Sequence, residues 1–410
     1  MATRFQRFCF RTRWWPKLGP TLGVWSGAAI LLPLLMPLPL AALPDAAAPL
    51  QAKASRPLDR SEILLGQSAP LSGPSAQLGR DYREGALAWF AEVNRQGGIH
   101  GRTLRLISLD DRYEPPRTLR NTQRLIDSER VFALFGYVGT PTVKAILPLV
   151  DRQRIPLVAP LTGARLVREP QRPMVFSLRA SYQAEIERMI NDLVRSGRHR
   201  IAVLHQEDAF GDDGLRATIE ALSRHGLRPV AIAGVKRNST ATDQAAWRVQ
   251  RGQPNGVVII SAYPSSAAFS RSLQNLGSTA QLMNVSFVST TGLQNDLPPG
   301  MANGIGIAQV VPFPWDRRVP VVAQYQRLMR QQQRSPRYGF TSLEGFLAAR
   351  LLTAALERAG TNPTRQSLVA AFEGMGTADL GGFRISLGPR DHQASDFVDL
   401  IYLGAQRWGP

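Results

Sequence analysis

Residues 63–111 read ILLGQSAPLSGPSAQLGRDYREGALAWFAEVNRQGGIHGRTLRLISLDD. The run Ile63-Leu64-Leu65-Gly66 is short and apolar, the pattern of a strand covered on both faces. Pro70-Leu71-Ser72-Gly73-Pro74 is a turn. Tyr82, Ala86, Trp89, Phe90 and Val93 then recur at helical spacing, and Gly97-Gly98 stops the helix. Leu104 to Leu109 is a second strand, ending at Asp110-Asp111. Two buried strands joined by an amphipathic helix make a βαβ unit, whose strands run parallel.

The same rhythm continues outward. A proline at 115 or 116 opens a helix to about Asp127, Val131 to Gly136 is a strand, and Tyr137 to Thr140 is a loop. Pro141 to Arg152 is a helix and Ile155 to Pro160 a strand. After Arg179 the series restarts. Tyr182–Ser196, Gly214–His225 and Ser265–Leu276 read as helices; Ile201–His205, Val230–Val235, Val257–Ser261 and Phe287-Val288 read as strands. Tyr338 to Ala359 is one long amphipathic helix, and Phe397 to Leu403 a closing strand. Two series of βα units imply an α/β chain of two Rossmann-like lobes, each a parallel sheet with helices on both faces.

A chain of 410 residues usually divides in this way. Its +18 formal charge does not make a nucleic-acid interface. Lysine occurs only at Lys17, Lys53, Lys144 and Lys236, and the arginines are dispersed rather than gathered into a basic arm. The one cysteine, Cys9, excludes a disulfide framework and a Cys-based zinc site. Arg4, Arg7, Arg11, Arg13 and Lys17 precede an uncharged apolar stretch, Leu18 to Leu40, and then the small residues Ala41-Ala42. That order describes a secretory signal peptide over residues 1–42, with a flexible lead-in over 43–60. Prolines at 33, 37 and 39 oppose the competing reading, a retained membrane helix.

Ligands of open parallel sheets gather beyond the carboxyl ends of the strands. Four loops fall there: Tyr137–Thr140, Leu161–Gly163, Gln206–Asp212 and Ala262–Ser265. In the first, a Gly-Thr pair leads into a helix, whose free N–H groups suit a carboxylate; Thr140 serving only as a helix cap is the alternative. Enzymatic chemistry has no support. There is no Gly-x-x-x-x-Gly-Lys-Ser/Thr loop, no Gly-x-Ser-x-Gly turn and no His-x-x-x-His pair, so neither cofactor nor metal is expected. Asp110-Asp111 and Asp212-Asp213 read as capping or hinge residues.

The turn 70–74, Asn94-Arg95-Gln96-Gly97-Gly98-Ile99-His100-Gly101, Asp110-Asp111, Phe210-Gly211 and Gly381-Gly382-Phe383 occur in one colinear order. Together they resemble the leucine/isoleucine/valine-binding family of periplasmic solute-binding proteins, from Ile63 onward. The resemblance implies the type I binding-protein fold: two lobes joined by three hinge crossovers, near 180–181, 310–312 and 374–377. One lobe would hold 61–180 and 312–375, the other 181–311 and 376–410. It implies a monomeric periplasmic receptor that closes on an amino acid or related small carboxylate or amide and hands it to the membrane permease of an ATP-driven importer. A ligand sensor of the same fold, or a receptor for amides, urea-like compounds or aromatic acids, is the alternative.

The implied pocket is Thr140 for the ligand carboxylate with Val138 and Gly139 beside it, then Leu161, Thr162 and Gly163, with Thr162 displaced by one position. Phe210 and Tyr263 match second-lobe aromatics, and Leu78 stands where some members have an aromatic. The position implied for the carboxylate that pairs with a ligand ammonium is Thr291, which has no charge. Either Asp208 or Glu207 replaces it, or the ligand has no free ammonium.

Overall fold

The computed structural model describes residues 61–404, so the signal peptide and lead-in expected over 1–60 lie outside the described residues. The first series is β1 (Glu62–Ala69), α1 (Ala76–Arg95), β2 (Thr103–Asp110), α2 (Pro115–Asp127), β3 (Ala133–Phe135), α3 (Thr140–Gln153), β4 (Leu157–Val158) and β5 (Val175–Phe176). Its strands form a five-stranded sheet in the order β2-β1-β3-β4-β5, parallel throughout.

The second series is α4 (Tyr182–Arg195), β6 (Ile201–Gln206), α5 (Ala209–Ser223), β7 (Ile232–Val235), α6 (Asp243–Arg251), β8 (Gly256–Ile260), α7 (Tyr263–Asn275), β9 (Gln281–Asn284), α8 (Thr290–Asp296) and β10 (Gly306–Gln309). There follow α9 (Pro320–Gln332), α10 (Phe340–Arg358), α11 (Arg365–Glu373), β11 (Gly376–Asp379), β12 (Arg384–Leu387) and β13 (Asp399–Tyr402). The second sheet runs β13-β10-β9-β8-β6-β7, with β13 alone antiparallel. This is the α/β architecture of two parallel sheets that the periodicity predicts.

Local chemistry sets the element ends. Ser181 opens α4 by accepting from the Ala184 N–H at 3.1 Å, and Thr364 and Ser367 form a reciprocal capping box on α11. The strand β8, Gly-Val-Val-Ile-Ile, is buried at every position, as a central parallel strand must be.

Three expectations need correction. Phe287-Val288 is not a strand: β9 lies earlier, and its polar ends Gln281 and Asn284 hide it in the sequence, while Phe287 fills a buried loop. The helix α10 is not amphipathic but buried nearly all round, because α1, α9 and α11 pack against it. The last passage between sheets comes later than 374–377. β11 and β12 pair as a hairpin, Ser177 pairs with Gln393 beside the first sheet, and the chain enters the second sheet only at β13.

The α1–α10 contact depends on two glycines. A side-chain carbon on Gly85 would run into the Ser342 carbonyl, and one on Gly345 into the Tyr82 carbonyl, so the two backbones approach where no side chain fits. Gly85→Ala is therefore expected to destabilise the chain by about 1–3 kcal/mol through overpacking. A thermal or denaturant midpoint equal to that of the parent chain would contradict the close approach.

Candidate functional site

The strand-end loops of the two sheets face each other and are joined by cross-links. Within the first sheet, Asp110 stands at the end of β2. It accepts from the Leu71 N–H at 2.8 Å, the Ser72 N–H at 3.1 Å and the Ser72 hydroxyl at 2.5 Å, which holds the 70–74 turn against its neighbour. Burial pushes the Asp110 carboxyl up, but these donors and the Arg112 amide outweigh it and leave it below the usual range. Asp111 turns inward, to the Ser68 and Thr118 hydroxyls and the Tyr113 N–H, and burial raises its carboxyl to about 6. The pair thus shapes a loop, and its two members face different partners.

Beyond β3 and β4 the loops are tied together. Val138 and Leu161 form a parallel bridge, and the Gly139 N–H donates to the Leu161 carbonyl at 3.1 Å. Gly139, at φ +97°, is the N-cap of α3; Thr140 is the first helical residue and makes no cap. Its hydroxyl instead meets the Thr162 hydroxyl at 2.7 Å, both side chains being fully buried. The cap alternative for Thr140 is overturned, and Thr162 stands opposite it. Glycines flank this hydroxyl pair. A side-chain carbon on Gly139 would enter the Tyr113 ring, and one on Gly163 would enter the Tyr182 ring.

These two tyrosines belong to a row of four rings. Tyr182 lies 5.1 Å from Phe210, Phe210 is 4.9 Å from Phe287, and Phe287 is 5.7 Å from Tyr113, centroid to centroid. Tyr113 follows β2 and the other three belong to the second series, so the row of rings crosses from one sheet to the other. Tyr263, at the start of α7, donates to the Pro74 carbonyl at 2.5 Å and accepts from the Gln77 N–H at 3.4 Å. Ser75 bonds Asn238 at 3.0 Å, and Arg237 pairs with Glu114 at 2.9 Å. On the opposite side Arg165 pairs with Glu220 at 3.0 Å, and its N–H donates to Asp213 at 3.0 Å.

The remaining expected residues are placed as follows. Leu78 is fully buried on α1. Thr291 is half-buried on α8, past the β9 loop, with its hydroxyl toward Gly339. Asp208 caps α5 through the Phe210 N–H at 3.0 Å, accepts from Gln206 at 2.7 Å and pairs with Arg237 at 3.2 Å. Glu207 is exposed.

Sequence reading missed Tyr113, Tyr182, Phe287 and Arg179. Tyr113 had a signal, since β2 ends at the same sheet edge as the other loops. Arg179 is almost wholly buried at the passage from the first series to the second. It pairs with Glu344 of α10 at 3.2 Å and donates to the Ser286 hydroxyl, which itself donates to Glu185 at 2.9 Å. Burial opposes the Arg179 charge, but Glu344 and Glu185 more than restore it. Among the described residues no three or more His, Cys, Asp or Glu side chains gather as a metal site.

The model of the periplasmic binding protein family matches residues 62–403, and the chain belongs to that family. It is 35% identical to a possible leucine/isoleucine/valine-binding protein of Rhodopirellula baltica SH 1, whose crystal structure covers 85% of this chain and 96% of its own, with a TM-score of 0.81. A substrate-binding periplasmic protein of Ralstonia solanacearum is 32% identical, at 84% and 98% coverage and a TM-score of 0.80. An amino acid binding protein of Pseudomonas aeruginosa is 23% identical over 57% of this chain, and the match spans 63% of that relative's length.

Burial raises the Glu344 carboxyl from its ordinary 4.5 to about 7, against the pull of Arg179 and with a further push from Glu185. The folded chain then holds this proton more tightly than the unfolded one. The stability it contributes is complete below the unfolded pKa and is lost as pH rises through about 7. The thermal midpoint is expected to fall from pH 5 to pH 7, and Glu344→Gln to reduce that slope; an identical slope in the variant would rule the assignment out.

Proposed function

We propose that this chain is a periplasmic solute receptor that binds a small carboxylate- or amide-bearing molecule of the amino-acid type between its lobes and delivers it to the permease of an ATP-driven importer. The observation that carries the reading is the meeting of strand-end loops from both sheets over the Thr140–Thr162 hydroxyl pair, beside a row of aromatic rings. Facing strand ends are where α/β sheets bind ligands. A site divided between two bodies ties occupancy to their closure, because contacts from the second exist only when the bodies meet. Membership of the periplasmic binding protein family, and the printed descriptions of its relatives, support the same reading.

In this reading residues 1–42 direct export and are removed, the lobes divide near 180 and 310, and the receptor works as a monomer without cofactor. Val138, Gly139, Thr140, Leu161, Thr162 and Gly163 form the floor. Phe210 and Tyr263 close over it from the second lobe, with Leu78 and Thr291 at the margins. Leu161's carbonyl is engaged by Gly139, so the hydroxyl pair is the part of the floor that reorients to meet a ligand oxygen. Closure is held from both sides, by Tyr263 on the 70–77 segment and by Arg165 on α5.

The test is a thermal-shift panel of amino acids, amides and small aromatic acids. A ligand at about 100 times its Kd adds about 2.7 kcal/mol of stability, a shift of several degrees. Thr162→Val removes one hydroxyl at nearly constant volume and is expected to weaken the hit by about 1–3 kcal/mol. Tyr263→Phe is expected to cost about 1 kcal/mol by releasing the closed form. A hit unaffected by both substitutions would place the ligand elsewhere.

A further inference from the structure

Apart from Glu207, whose exposed side chain lies against Gly234 of β7, the carboxylates carried by the loops around the ring row already have partners. Asp110 holds the 70–74 turn, and Asp111 is taken by Ser68, Thr118 and the Tyr113 N–H. Asp208 is divided among the Phe210 N–H, Gln206 and Arg237. Glu114 is held by Arg237 at 2.9 Å and Asn238 at 3.0 Å. Deeper in, Glu344 faces Arg179, and Glu185 accepts from the N–H and hydroxyl of Ser286. No carboxylate in this set is left over for a cation.

The uncommitted polar atoms are of the opposite kind. Nη1 of Arg179 is buried and has no hydrogen-bond partner, and the Tyr182 hydroxyl is buried with only the neutral groups of Thr162 and Gly163 to bond it. The Arg179 guanidinium lies 5.9 Å from the Tyr182 ring centroid, and its Nη2 reaches Ser286, next to Phe287. It therefore lies at the inner end of the ring row. Beside the row, Oε1 of Gln206 is also buried without a partner, a neutral acceptor whose amide nitrogen faces the Tyr113 hydroxyl at 3.3 Å, and so is Nε of Arg237, a cationic donor over the Tyr113 ring. A second cation, Arg168, is close by and donates to the Arg179 carbonyl at 2.7 Å. An ammonium brought here would leave water to face a guanidinium, with only a neutral oxygen to receive it. A carboxylate would find a cationic donor and a phenol.

The geometry points to a ligand that has a carboxylate but no ammonium: a small organic acid with an apolar or flat body among the rings, its carboxylate on Arg179 Nη1 and the Tyr182 hydroxyl, and any hydroxyl or amide N–H on Gln206 Oε1. This inference rests on the solute-receptor reading and narrows its substrate class. It makes Arg179 a ligand contact as well as a structural ion-pair partner, and it gives the uncharged Thr291 position a reason.

The experiment is titration calorimetry of the purified chain with matched compounds that differ only in the amine. Leucine is set against 4-methylpentanoate, and phenylalanine against 3-phenylpropanoate, with 2-phenylethylamine as the amine lacking a carboxylate. The amine-free acid of at least one pair is expected to bind at least tenfold more tightly than its amino acid. Arg179→Gln should abolish that binding. Should Arg179→Gln fail to fold, Tyr182→Phe, which removes one oxygen, should weaken binding severalfold. Amino acids or the amine binding as tightly as the acids would overturn the inference and leave the receptor reading standing. So would an acid whose affinity is unchanged in Tyr182→Phe. Binding only of neutral amides overturns the inference in the same way, whereas no heat from these compounds and no shift across the wider panel overturns both.

Discussion

A buried guanidinium cannot stand alone, and the position of Arg179 makes that requirement an organising one. Leaving water costs an ion several kcal/mol even after relaxation, so its partners must be in place whenever the chain is folded. Those partners come from distant segments: Glu344 from α10, Ser286 from the loop after β9, and Glu185 from α4 acting through Ser286. The charge stands at the passage from one sheet to the other, and satisfying it brings three separate elements to one point. Such a cluster is worth little as net stability, since apolar residues of equal volume would fill the space as well. Its consequence is positional.

Space around this point is set by glycine. Gly85 and Gly345 let α1 and α10 meet backbone to backbone, which fixes where Glu344 lies. Gly139 and Gly163 perform the corresponding task at the site, each giving way to a tyrosine ring beside the Thr140–Thr162 pair. The positive φ of Gly139 adds a second constraint, because an L side chain rarely adopts it. Ion pairs and Asp110-centred hydrogen bonds then hold the outer loops. The site is thus polar at its rim and floor and aromatic between them, an arrangement that excludes water from whatever occupies it.

Much of the fold was legible because its signals are local. A buried parallel strand shows as a short apolar run, a covering helix as a 3.6-residue period, and a stop as Gly-Gly; each lies within about twenty residues. Elements whose signals are weak were lost. β9 has polar residues at both ends, and the β11–β12 hairpin is half-exposed. At the candidate site, Thr140, Thr162, Phe210 and Tyr263 were expected from strand-end position and from family resemblance. Tyr113 was passed over although β2 ends at the same sheet edge; Tyr182, Phe287 and Arg179 were missed because nothing in their own neighbourhoods distinguishes them from core residues.

The sequence by itself determined an α/β chain of two parallel sheets, a family of binding proteins, and which loops fall at the carboxyl ends of the strands. It also showed that the expected ammonium partner, Thr291, carries no charge. Only the tertiary structure showed that Asp208 is already shared between a helix cap and Arg237, and that Arg179, although paired with Glu344, keeps a buried Nη1 with no hydrogen-bond partner. The reason is physical. Periodicity records how each segment meets the core, while the pairing of charges depends on segments more than a hundred residues apart, which meet only when the two sheets pack.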